Sequence, residues 1–523
     1  MASYKRHSWE SLPSRFADRL GAGIVARKTP AERKAGGLYL TPVEVADFIA
    51  GQANTSASEI RILDPAAGSG TLLCAIVEGL AIAEPRVRKV ELTAYETDPD
   101  LQEALASVLD RLKRWAEEHQ VEVSVRIEKQ DFVLAHAGSF RSNGHLFDTQ
   151  SRECFDLVIA NPPYFKISKD DPRAQAAMVV VHGQPNIYAL FMAATAALLR
   201  KGGEFLFITP RSFASGPYFR LFREKFFANI RPVGVHVFGS RREAFGRDEV
   251  LQESIILRGV RDDGWQHSRE GFELEITGSA GIADLAHLNR RSLPLRDALD
   301  MASSSKIFRL PILPGEDAAL RLVDSWTGSL HQYEMNISTG PVVPFRATEY
   351  IDKIGVPSND YAPLIWMNHV LAMQVTFPIE TRKPQYISTV ATEKSLLLPN
   401  RNYVLIRRFS AKEEARRLVA APWLKGSVPG SLLGIENHLN YIYSMRDEMN
   451  ENEALGLAAL LNSELLDTYF RVSSGNTQVS ATELRAMPLP PRDMIIFIGQ
   501  RVRKQSGGES LDDIVKEAIG TAR

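Results

Sequence analysis

Leu63-Asp64-Pro65-Ala66-Ala67-Gly68-Ser69-Gly70-Thr71-Leu72-Leu73 reads as a strand that turns sharply into a helix. An apolar run at 60–63 ends on an acid, and from 71 to about 83 the apolar residues recur at helical spacing. Glycines in such a turn let the backbone approach a ligand, and the helix start offers N–H groups. Working outward, short apolar runs predict strands at 90–95, 121–127, 155–160, 204–209, 233–238 and 254–257. Helical spacing predicts helices at 101–118, 187–199 and 218–227. Strands alternating with helices give an α/β fold: a doubly wound, mainly parallel sheet with helices on both faces, and ligands beyond the carboxyl ends of its strands.

The turn excludes two phosphate readers. A dinucleotide fingerprint needs a third glycine where Leu73 stands, and a phosphate loop needs a Gly-Lys-Ser/Thr that is absent. What remains is Asp64 before the glycines and Glu96 at the end of the next strand, a carboxylate placed to accept from both hydroxyls of a ribose. A third strand delivers Asp131 and Phe132, an acid and an aromatic suited to the amino group and face of an adenine. Each acid alone reads equally as a helix cap or turn residue. Three acids at three successive strand ends favour a site for an adenosine without phosphates, and S-adenosyl-L-methionine is such a ligand. The turn residues Pro65, Ala66, Gly68 and Gly70 belong to that cofactor site.

The strand at 155–160 runs into Asn161-Pro162-Pro163-Tyr164. Two prolines stiffen the loop and leave carbonyls without a competing N–H. An –NH₂ conjugated to an aromatic ring is a poor nucleophile because its lone pair is delocalised. If the Asn161 side-chain oxygen and the Pro162 carbonyl accept its two protons, the nitrogen is drawn towards tetrahedral geometry and its lone pair is freed for a methyl group. Pro163 fixes the loop, and Tyr164 is placed to stack on the acceptor ring.

These two motifs, in this order, resemble those of the gamma class of DNA adenine-N6 methyltransferases, the TaqI-like and PstI-like type II modification enzymes. The resemblance covers residues 36–258 well and the later half loosely. It implies the class I S-adenosylmethionine-dependent methyltransferase fold, followed by a mixed α+β domain that recognises the DNA target. It further implies that 36–42 closes over the methionine end of the cofactor through Tyr39, Thr41 and Pro42. Residues 199–211 resemble the family's fifth-strand region, and 243–256 the segment whose aromatic packs on a flipped adenine, which maps to Phe245. The stretch 474–491 is similar to segments that close target-recognition domains. The implied partner is double-stranded DNA, with any cognate restriction endonuclease on a separate chain. Asn-Pro-Pro-Tyr also occurs in enzymes that methylate a glutamine side chain or guanine in ribosomal RNA, and cytosine N4 in DNA presents the same conjugated amino group to such a loop. A DNA-binding specificity protein without activity is a further alternative. Adenine is favoured over cytosine by its larger stacking area, and the resemblance implies the same, since Asn opens the loop in adenine enzymes and Ser more often in cytosine enzymes.

The 523 residues exceed one hydrophobic core, and the reading divides them into a basic arm at 1–35, a cofactor-binding catalytic domain at 36–260 and a target-recognition domain at 261–523. The first 34 residues carry eight Lys or Arg against three acids, enough to reach phosphates or to form a solvated arm. A net charge of −1 excludes a uniformly basic protein. Cys74 and Cys154 form neither a metal cluster nor a disulfide framework, so no metal is expected and a cytoplasmic setting fits. No apolar run approaches the roughly 18 residues of a membrane helix.

Overall fold

The computed structural model describes residues 12–54, 57–83, 87–140, 154–181, 185–239, 254–268, 271–301, 303, 305–352, 360–410, 414, 416–446, 448–474, 478–504 and 509–521. The chain forms two compact units, Met1–Ile312 and Leu313–Arg523.

In the first unit the elements run α1 (Pro13–Ala26), α2 (Pro30–Gly36), α3 (Val43–Ala50), β1 (Glu59–Asp64), α4 (Thr71–Ile82), β2 (Lys89–Tyr95), α5 (Pro99–Glu118), β3 (Glu122–Glu128) and α6 (Phe132–Ala135). They continue with β4 (Phe155–Ala160), α7 (Pro172–Ala176), α8 (Ile187–Leu198), β5 (Leu199–Pro210), α9 (Arg220–Asn229), β6 (Ile230–Phe238), β7 (Ser254–Arg261), β8 (Glu273–Ser279) and β9 (Asn289–Pro294). The strands make one sheet in the order β3-β2-β1-β4-β5-β7-β6-β8-β9. Neighbours from β3 to β5 are parallel, and β7 lies antiparallel between β5 and β6. The chain moves one way from β1 to β3 and the other from β4 to β5, so the carboxyl ends of β1 and β4 flank the switch point where such sheets hold ligands.

Alternation along the strands explains the two helical layers. In β5, Phe205 and Phe207 join a core with α8 and α9, while Leu206 and Ile208 join the opposite core with α3, α4 and α5. Helix α8 is buried along its whole length, which its apolar, alanine-rich sequence permits.

Two expectations about organisation change. The basic arm is in large part a packed helix: α1 buries Ala17, Ile24 and Val25, and Ser14 donates from N and Oγ to Glu78 on α4 at 2.8 and 2.6 Å. Two of the arm's cations are paired within this unit, Arg15 with Glu44 and Asp47, and Lys28 with Asp98 and Asp100. The first unit also extends beyond 260, to Ile312. Strands β8 and β9 lengthen its sheet, and Phe308 and Leu310 complete its core.

The second unit is mixed α+β. It holds a four-stranded antiparallel sheet, built from Met335–Thr339, Leu439–Ser444, Tyr403–Arg407 and Ala420–Trp423, beside a five-stranded sheet. Helices at Glu451–Leu461, Glu464–Ser473, Arg492–Lys504 and Leu511–Thr521 cover one core. Among the described residues no helix is long and apolar enough to cross a membrane, and no cluster of His, Cys, Asp or Glu could hold a metal ion.

Candidate active site

The glycine turn is shaped by its own backbone. Gly68 and Gly70 have φ of +55° and +87°, where a side chain is strained, and a Cβ on either would meet Leu40 Cδ2 at 2.8 Å or Leu105 Cδ1 at 2.9 Å. Ala67 N–H donates to Tyr95 O at 2.9 Å, which ties the turn to the end of β2. Pro65 is buried between Asp64 and Ala66.

Asp64 is fully buried at the end of β1. One carboxylate oxygen accepts from Ala66 N–H at 3.0 Å, whereas Oδ2 has no hydrogen-bond partner among the described residues. Burial, with the charge of Glu96 adding to it, pushes its pKa up to about 7. A buried acceptor without a donor is costly, and a ligand N–H or O–H would relieve it. Glu96 follows β2 and accepts from Thr97 N–H and Asp98 N–H, both at 2.7 Å, and from Gly68 N–H at 2.9 Å. Burial raises its pKa, and the three N–H groups hold it back. Two carboxylates at adjacent strand ends, one with a vacant oxygen, fit an adenosine-bearing cofactor with hydroxyl and amine donors.

The third strand end behaves differently. Asp131 caps α6 through Leu134 N–H at 2.9 Å, and its other oxygen lies 3.5 Å from Arg173 Nη1. Phe132 is 2% exposed, stacked on Phe191 at 5.4 Å with Tyr95 edge-on at 5.1 Å. Its ring belongs to the core, so the aromatic face expected for a ligand is taken by other side chains.

At the end of β4, the Asn161 amide donates to Tyr39 O at 2.8 Å and to Thr41 Oγ1 at 3.1 Å. That pairing turns the side-chain oxygen towards Tyr164, whose hydroxyl donates to it and also lies 3.2 Å from Ile208 O. Burial holds the Tyr164 phenol far above its ordinary pKa, so it stays a donor. Thr41 is buried, and Pro42 opens α3 by accepting from Val45 and Ala46 N–H. Gly37, at φ +60°, passes so close to the loop that a Cβ there would meet Pro163 Cβ at 2.6 Å. Pro162 is buried beneath. The structure therefore brings Tyr39, Thr41, Asn161, Pro163 and Tyr164 together, with Asp64 and Glu96 at the neighbouring strand ends. Phe245 lies outside the described residues.

Sequence reading missed Tyr188 and Arg223. Tyr188 sets its edge on Tyr164 at 6.2 Å, and Arg223 is a buried cation in the layer beyond. No motif marks either residue; a charged side chain on the apolar face of α9 was the one available signal.

The Eco57I restriction-modification methylase family model matches residues 87–245. Over 467 residues, the chain is 31% identical to the type II methyltransferase M.BsuBI of Bacillus subtilis, covering 89% of this chain and 90% of that protein. It is 29% identical over 486 residues to the type II methyltransferase M.PstI of Providencia stuartii, covering 92% of each. A shorter match, 27% over 154 residues, joins 29% of the chain to 53% of the tRNA1(Val) (adenine(37)-N6)-methyltransferase of Bacteroides thetaiotaomicron. Given 31% identity carried through 89% of its length, the chain belongs to the family of type II restriction-modification methyltransferases and is a DNA methyltransferase.

Proposed function

We propose that the enzyme methylates the exocyclic N6 of adenine within a short double-stranded DNA sequence, with S-adenosyl-L-methionine as donor. The observation that carries this reading is the Asn161 amide. Its NH₂ is occupied by Tyr39 O and Thr41 Oγ1, which leaves the side-chain oxygen as an acceptor at the mouth of β4. That oxygen and the Pro162 carbonyl take the two amino protons of the base, and the nitrogen lone pair turns outward. Asp64 and Glu96 hold the cofactor, Asp64 through its unpartnered oxygen. When bound, the cofactor supplies an electrophilic methyl group. Tyr39, Thr41 and Pro42 form the wall on the methionine side, and Pro65, Ala66, Gly68 and Gly70 let the backbone come close. Asp131 contributes at the adenine end through its carboxylate.

The target amino group is paired inside a duplex, so the base leaves the stack at a cost of about a few kcal/mol. Stacking on Tyr164 and Phe245 offsets part of that. The second unit reads the sequence, and any partner endonuclease is a separate chain. Adenine is supported over cytosine by Asn161 and by a relative whose name specifies adenine-N6 as acceptor. Nucleoside mass spectrometry of DNA modified by the purified protein tests this. N6-methyladenine is expected; N4-methylcytosine in its place overturns the acceptor and leaves the cofactor site standing.

A further inference from the structure

We propose that Tyr218 is a DNA-contacting side chain that lies against the bases flanking the extruded adenine and so helps to hold the helix open. The inference rests on the reading that the enzyme extrudes its target base. Sequence periodicity places residue 218 in a helix, but it sits in a 3-10 turn, Pro217–Phe219, just before α9. Its ring is 77% exposed.

Around this exposed ring the loop after β5 is held with unusual care. Arg223, 1% exposed, gives its guanidinium to three main-chain carbonyls: Phe213 O at 2.9 Å, Gly216 O at 2.8 Å and Ser305 O at 3.0 and 2.6 Å. Phe308 N–H donates to Ala214 O at 2.8 Å. Gly216 admits no side chain, because a Cβ there would lie 2.8 Å from Ser212 O. A loop that merely connects β5 to α9 does not need a buried cation, since every such charge is expensive to desolvate.

The same loop is joined to the catalytic tyrosine. Phe219, next to Tyr218, stacks on Tyr188 with centroids 5.7 Å apart. The Tyr188 hydroxyl lies 2.8 Å from Ser212 Oγ, and the Tyr188 ring meets Tyr164 edge-on at 6.2 Å. Tyr164, Tyr188 and Phe219 thus form one aromatic block, and Tyr218 projects from its end into solvent. Where a base has left the stack, its neighbours present free faces. An aromatic carried on a fixed backbone beside that gap gains stacking without ordering the loop, which is how wedge residues hold open a disturbed duplex.

The test compares Tyr218→Ala with wild type on two short duplexes carrying the site mapped in DNA that the wild-type enzyme has modified. One is fully paired; in the other the target adenine faces an abasic position, so extrusion is already cheap. On the paired duplex kcat/KM is expected to fall roughly tenfold or more. On the abasic duplex it should return to near the wild-type value, with cofactor affinity unchanged, and Tyr218→Phe should restore the rate on both. Undiminished activity of Tyr218→Ala on the paired duplex overturns the proposal. Equal loss on both duplexes also overturns it, because that marks a disturbed aromatic block. Wild-type enzyme that leaves DNA unmethylated refutes the underlying reading instead, which is a separate result.

Discussion

The Tyr164 hydroxyl donates to the side-chain oxygen of Asn161, the same oxygen assigned to accept a proton of the target amino group. The hydroxyl therefore competes with the base for this oxygen, whose two lone pairs can also serve both. Tyr164→Phe removes the competitor and keeps the ring, so single-turnover methyl transfer is expected to stay within about threefold of wild type. Tyr164→Ala removes the stacking surface and should lose roughly ten- to hundredfold. Equal rates for the two variants would place the role of Tyr164 elsewhere.

Asn161→Ala deletes one of the two acceptors of the amino group while leaving β1 and β2 untouched. Transfer should fall at least about a hundredfold. Cofactor affinity, measured by calorimetry, should fall far less than transfer, because Asn161 is assigned to meet the base directly and the cofactor only through its hold on Tyr39 and Thr41. Asp64→Ala or Glu96→Ala should show the opposite pattern, weakening cofactor binding roughly tenfold or more.

Asp64 gives the unliganded protein a pH dependence of definite sign. Its folded pKa, pushed up to about 7, lies above its ordinary 3.8. Between those values the unfolded chain has released the proton and the folded chain retains it, so stability falls as pH rises from about 4 to 7 and then levels. Glu78, buried against Ser14 and also pushed up to about 7, adds a slope of the same sign. Thermal midpoints across this window should therefore decline less steeply in Asp64→Asn than in wild type. A parallel decline in both would show that Asp64 is ionised in the folded state.

Ending the chain at Ile312 should leave a fragment that binds cofactor without sequence-specific DNA affinity, readable by calorimetry and by competition binding. The cut matters. Leu293, Phe308 and Leu310 belong to the first unit's core, so a fragment ending near 260 exposes apolar surface and is expected to aggregate.

The half of the site that sequence made legible is the half written in one-residue spacings. Asp64 ends a buried strand, and Gly68, Gly70, Glu96 and Asn161 follow one, strand ends being where strand patterns stop. Asp131 stands past β3, a strand with no fully buried residue, and it caps α6, since a cap and a ligand acceptor need the same residue at the same place. Strand β9, Asn-Arg-Arg-Ser-Leu-Pro, is a largely exposed edge with no apolar alternation, so periodicity stops short of the compact unit's end at Ile312. Helix α1 lies in a stretch read by its charge, and its packing depends in part on Gly21, where a Cβ would lie 2.5 Å from Ser69 Oγ. Close approach between distant segments leaves no periodic trace. Arg223 and Tyr188 escaped for that reason.

The segment that carries Tyr39 and Thr41 holds the Asn161 amide, and Gly37 leans on Pro163. Under the proposed assignments one short peptide thus meets the donor on one side and the acceptor loop on the other. Whatever order the donor imposes on that peptide is felt as a changed affinity for the target base, and thermodynamic reciprocity requires the base to change the affinity for the donor by the same factor. The two substrates are then read as a pair: a duplex that engages the acceptor loop changes the grip on the methyl donor, and one that does not engage it leaves that grip as it was.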